Sequence, residues 1–216
     1  MFTYREKLLS ADKWEYKCPH IMIPQFIVVH NTANDASAEN EIAYMQGNND
    51  LVSFHYAVDE KEVIKAIPEY RNAYHAGDGT YGEGNRKGLS VEICYSKSGG
   101  KRFTAAEENA AEFIADLLIL YGWDITKVRK HQDFSGKYCP HRTLELGWDT
   151  FLHMIQKHLD EKKPKLVNAD EITWELNHSY FPITDFDGFI KALDEGKKND
   201  SPLYWGYYKL VNRIKE

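Results

Sequence analysis

The run Phe26-Ile27-Val28-Val29-His30 limits the fold more than any other stretch of the chain. Four apolar residues, three of them β-branched, stand together without a polar break, and the run is too short for a buried helix. It predicts a strand buried on both faces, which needs a sheet with helices packed over it. That strand ends on His30. Comparable patterns follow along the chain. Residues 53–59 (SFHYAVD) and 63–68 (VIKAIP) are separated by the polar EKE and predict a hairpin. Residues 89–95 (LSVEICY) predict another strand, introduced by the glycine-rich GDGTYGEGNRKG.

Helical segments alternate with these strands. Ser37 or Asp35 is placed to cap AENEIAYMQGNN, whose Ile42 and Met45 share a helical face. Thr104 to Glu107 fits a capping box ahead of a long apolar-periodic helix ending near Tyr121, with Gly122 as its stop. VRKHQDF then predicts a short edge strand, SGKYCPHR a loop, and 144–159 a final amphipathic helix. Together these predict an α/β or α+β domain over residues 1–160, with a mixed central sheet flanked by helices. The charged, Pro164-containing stretch at 161–170 reads as a linker. Residues 171–216 change character, dense in aromatics, and predict a small, mostly helical C-terminal module.

Composition narrows the classes of function. A 43% apolar share with 5 Trp, 14 Tyr and 10 Phe is enough for a packed core. A formal charge of −6, with no dense Lys/Arg run, argues against a nucleic-acid partner. No stretch approaches the run of about 20 apolar residues that a spanning helix needs, so membrane insertion is not expected. The start, MFTYREKLLSADKWEY, lacks a signal-peptide core, which predicts synthesis in a bacterial cytoplasm and later release if the protein acts outside. Three cysteines, Cys18, Cys94 and Cys139, are poor material for a disulfide framework.

Three positions offer chemistry together: His30 at the end of a strand, and His131 and Cys139 around a loop. Two imidazoles and a thiolate form a zinc ligand set that leaves one coordination position for water. Spacing alone does not choose this triple. His20, His55, His75 and His141 compete, and Cys18-Pro19-His20 offers a second pair.

The surrounding motifs narrow the choice. VVHNT, SFHYAVD, YHAGDG, GNRKGLSVEI and HQDFSGKYCPHR occur in the order found in the type-2 N-acetylmuramoyl-L-alanine amidase family. That family includes peptidoglycan recognition proteins and many phage lysins. The chain most resembles the amidase domains of endolysins from phages of Gram-positive bacteria, over residues 1–160. The resemblance implies an amidase or recognition-protein-like fold and a Zn2+ cofactor held by His30, His131 and Cys139. It implies a catalytic carboxylate at Glu92, a lysine facing the scissile carbonyl at Lys137, and peptidoglycan as the substrate, cut between N-acetylmuramic acid and L-alanine. Some relatives carry a catalytic tyrosine where this chain has Phe54, so the acid/base role falls to Glu92. The family's groove-lining loop corresponds to the one with His75, and Asn85 and Arg86 are further candidates for contact with the stem peptide.

Each role is chemically sound on its own terms. Amide hydrolysis needs an activated water, a group that moves its proton, and stabilisation of the oxyanion. Val91 and Ile93 flank Glu92, so strand alternation points its carboxylate away from their face. The aromatics of 171–216, among them Trp174, Tyr180, Trp205 and Tyr208, suit either a small core or a wall-binding surface. Three alternatives stay open. A bacterial autolysin would share the chemistry. A non-catalytic muropeptide-recognition module commonly lacks the cysteine ligand. A cysteine hydrolase would use Cys139 and His131 without metal.

Overall fold

A computed structural model describes residues 2–162. Six strands form one mixed sheet: β1 (Thr3–Glu6), β2 (Phe26–Asn31), β3 (Tyr56–Val58), β4 (Glu62–Lys65), β5 (Gly88–Ile93) and β6 (Val128–Lys130), in the order β1-β4-β3-β5-β2-β6. Only the β3–β4 hairpin is antiparallel, and every other pairing is parallel. Seven helices accompany the sheet: α1 (Trp14–Lys17), α2 (Ala38–Gly47), α3 (Glu83–Lys87), α4 (Gly100–Tyr121), α5 (Gln132–Ser135), α6 (His141–Leu146) and α7 (Trp148–Lys162). The predicted α/β class, the hairpin and the edge position of β6 are all present.

The strand at 26–30 behaves as its sequence dictates. All six residues of β2 are buried, with β5 on one side and β6 on the other. Ile27 and Val29 share a core with Leu89, Val91 and Ile93 of β5, Phe103 and Leu118 of α4, and Phe151 of α7. Because side chains alternate along a strand, Val28 and His30 fall on the other face. In the parallel register His30 pairs with Glu92, so both project from that second face. The long helices thus fill one side of the sheet, and the polar residues of β2 and β5 occupy the other.

Two local expectations are corrected. The helix predicted from a capping box at Thr104 begins a turn earlier, at Gly100. Gly99 and Gly100 take positive φ values of 68° and 67°, which admit the chain sooner, and Thr104 Oγ1 donates to the Gly100 carbonyl at 3.2 Å inside the helix. The single helix predicted over 144–159 is two helices, α6 and α7, divided at Gly147. Elsewhere the local signals hold. Ser37 accepts from the Asn40 amide and caps α2, and Gly122 closes α4 in the left-handed conformation. No helix among the described residues is long and apolar enough to cross a membrane. The expected linker beyond Lys162 and the C-terminal module at 171–216 lie outside the described residues.

Candidate metal centre and active-site groove

The site forms at the carboxyl ends of three neighbouring parallel strands, where open α/β sheets characteristically bind ligands. His30 is the penultimate residue of β2, Glu92 the penultimate residue of β5, and His131 directly follows β6. Cys139 is returned to them by the short helix α5 and the left-handed Gly136, with the Gln132 amide donating to the Cys139 carbonyl at 3.0 Å. An eight-residue spacing in sequence thereby becomes a side-by-side pair.

His30 Nδ1 lies 2.9 Å from His131 Nδ1 and 3.9 Å from Cys139 Sγ, and the three donor atoms all fall within 4.8 Å of one another. All three residues are buried, at 2%, 5% and 4% exposure, so little water competes for their lone pairs. Burial is the main force that pushes the His30 imidazole well below its ordinary range and His131 down to about 4. Both rings are therefore neutral and able to donate a lone pair. Among the described residues this is the one His/Cys/Asp/Glu group that can hold a metal ion, and its nitrogen and sulfur donors fit one. Cys18 and His20 do not form a second such group.

The same geometry weakens the metal-free alternative. Burial, reinforced by Glu92, pushes the Cys139 thiol up to about 11, where a cysteine nucleophile needs the opposite. Glu92 Oε1 stands 3.9 Å from His30 Nδ1. Burial and the nearby Glu41 push its carboxyl up to about 8 against the opposing pull of Lys137. Glu92 and the exposed Lys137 line one cleft, together with Asn31, Glu41, Tyr44 and Phe54. A carboxyl poised near neutrality and a cation thus share one groove beside the metal-donor cluster.

The remaining candidates, expected to contact substrate, are not among the residues that line this cleft. His75 is 7% exposed and packs behind His30, its Nδ1 3.0 Å from His30 Nε2. Asn85 is buried, and its side-chain oxygen accepts from the His75 and Ala76 amides while its amide group donates to the Gly79 carbonyl. Its hydrogen-bonding capacity serves the loop at 75–79. Arg86 lies near Tyr81, with its guanidinium 6.0 Å from that ring, and does not line the cleft. His55 is fully buried, bonded to Ser90 Oγ and to the Arg71 carbonyl, each at 2.9 Å.

Sequence reasoning missed two contributors. The groove wall from α2 presents Glu41, Tyr44 and Met45, a helical i, i+3, i+4 series that was open to detection, with Asn48 following at its C-cap. Asn31, beside His30, uses its side-chain oxygen to accept from the Arg142 and Thr143 amides at the start of α6. No local pattern announces that long-range cap.

Residues 21–142 match the family described as N-acetylmuramoyl-L-alanine amidase (Amidase_2). The chain is 57% identical over 157 residues to the Bacillus subtilis (strain 168) N-acetylmuramoyl-L-alanine amidase XlyB, covering 72% of this chain and 50% of that protein. It is 59% identical over 142 residues to the amidase CwlA of the same strain, covering 66% and 52%. It therefore spans about half the length of the curated relatives it matches. The structure of PlyL superposes with a TM-score of 0.69 at 52% identity, over 71% of this chain and 97% of that one. The PlyG catalytic domain gives 0.70 at 48% identity, over 76% and 100%. A match through the strands and loops that carry His30, Glu92, His131 and Cys139 places the chain in the N-acetylmuramoyl-L-alanine amidase family.

Proposed function

We propose that this protein is a zinc-dependent N-acetylmuramoyl-L-alanine amidase that hydrolyses the bond between N-acetylmuramic acid and L-alanine in peptidoglycan, as a phage or prophage endolysin. The observation that carries the reading is the convergence of His30, His131 and Cys139 beside Glu92, which lines one groove together with Lys137. His30, His131 and Cys139 would hold the metal. Zinc, when bound, supplies a Lewis acid that acidifies water and polarises a carbonyl.

The chain's own groups do the rest. Glu92, shielded at one side of the groove, takes a proton from the attacking water and returns it to the leaving amide nitrogen. Lys137 faces the scissile carbonyl and offsets negative charge as the oxyanion forms. Phe54 lines the same groove and has no proton to exchange, so both transfers rest on Glu92. Residues 171–216, rich in aromatic rings, are assigned to wall binding.

The test is digestion of purified peptidoglycan with mass analysis of the products, zinc content and a chelator control on one preparation. Stem peptides with a free L-alanine amino terminus, intact glycan strands and loss of activity to chelator are expected. A protein that holds zinc yet cuts no wall type would be a recognition module instead.

A further inference from the structure

His75 has no place in the reaction just described, yet its ring touches a metal donor. The ring centroids of His30 and His75 lie 5.0 Å apart at 88°, edge to face, with His75 Nδ1 3.0 Å from His30 Nε2. His30 Nε2 is the nitrogen on the far side of the ring from the donor cluster, because His30 Nδ1 faces His131 and Cys139.

That arrangement has consequences for the proton. A neutral imidazole carries one N–H, and the nitrogen without it is the one able to coordinate. A proton on His30 Nδ1 would remove a donor from the cluster. A proton on Nε2 points at His75 Nδ1, which must then accept, and the proton of His75 lies on its own Nε2.

The loop around His75 is built to hold it there. Its main-chain N–H donates to Asn85 Oδ1 at 2.7 Å, and the Ala76 N–H donates to the same oxygen at 2.8 Å. Asp78 closes the loop by accepting from the Gly84 amide at 2.6 Å. Gly77, at φ +68°, lies against Ser135 and His131: an added Cβ would stand 3.1 Å from Ser135 Oγ and at ordinary contact distance, 3.5 Å, from His131 Nε2. One loop therefore backs both imidazoles of the cluster.

We propose that His75 is a positioning residue of the metal centre: its Nδ1 accepts the Nε2–H of His30, fixing the tautomer and ring orientation that present His30 Nδ1 as a ligand, and Asn85 holds His75 in place. The proposal rests on the metal-centre reading above. Outer partners of this kind are worth about 10–100-fold in metal affinity.

Zinc affinity is measured on the full chain by competition with a chromophoric chelator, for the wild type, His75→Phe, His75→Asn and Asn85→Ala. His75→Phe is expected to bind zinc about 10–100-fold more weakly. His75→Asn, whose side-chain oxygen can take the place of Nδ1, is expected to recover most of that loss. Asn85→Ala is expected to fall between them. Nitrogen chemical shifts of the His30 imidazole in the metal-free wild type are expected to show the proton on Nε2, a readout that does not depend on any variant folding.

A merely structural residue would lower the melting temperature of the metal-free protein and leave zinc affinity alone. Unchanged affinity in His75→Phe beside normal zinc binding by the wild type overturns this proposal and spares the metal centre. A metal-free His30 protonated on Nδ1 also overturns it. A wild type that binds no zinc overturns both.

Discussion

Glu92 Oε1 and Cys139 Sγ each stand 3.9 Å from His30 Nδ1, but the proposed mechanism gives them different work, so they should fail differently. Glu92→Gln keeps the shape of the side chain and removes its ability to take a proton. Metal content should stay at one equivalent while turnover falls by about 10²–10⁴-fold, the range for a lost general acid/base. Cys139→Ser exchanges a thiolate donor for a poorly acidic hydroxyl and should lose metal and activity together. Zinc content and turnover measured on the same two variants check both. A Glu92→Gln enzyme of near-normal activity would remove that carboxylate from the mechanism.

At the scale of elements, α7 is held by the face that carries Phe151, Ile155 and Leu159, each almost fully buried. Phe151 is 1% exposed and packs into the core that also contains Ile27 and Val29 of β2. Phe151→Ala should cost about 3–5 kcal/mol of stability by urea unfolding, through lost burial and the cavity left behind. An acid-sensitive link lies around β4, where Lys65 Nζ meets Glu69 at 2.8 Å and the Tyr56 hydroxyl donates to the same carboxylate. Burial alone would raise the Glu69 carboxyl, but the bonds from Lys65 and Tyr56 outweigh it and hold it below its ordinary 4.5.

A carboxyl depressed in the folded state contributes stability above its unfolded pKa, and that contribution fades as pH falls through the folded value. The wild type should therefore lose stability below pH 4.5, and Glu69→Gln should lose less over the same range while starting lower at neutrality. Melting temperatures from pH 7 to 3 test this. Elements of this kind were legible where one signal dominated: the β-branched run of β2, the alternation around Glu92, the glycine stop after Tyr121. The split between α6 and α7 was not, because apolar periodicity continues across Gly147 and only its φ of 110° breaks the helix. The metal donors needed flanking motifs to be picked out, since nine histidines offer many triples. The positions of His75 and Asn85 depended on loop closure across residues 75–85, which no periodicity encodes.

For the whole molecule, described residues form the groove and the donor cluster, and wall binding is proposed for the aromatic-rich 171–216. A protein ended after Lys162 should cut soluble muropeptides at the full-length rate and sediment less with intact cell walls. Equal sedimentation of the two forms would reject the wall-binding assignment. The donor cluster itself joins distant stretches of chain, since Cys139 follows His30 by 109 residues. At a synthesis speed of about 5–20 residues per second, the cysteine leaves the ribosome roughly 5–20 s after the histidine. During that interval β2 has neither β5 nor β6 to pair with for part of the time, and His30 has no sulfur beside it. With the proposed ligand set, metal capture is confined to the end of this portion's synthesis, and a nascent chain stalled before Cys139 would lack the sulfur that completes the site.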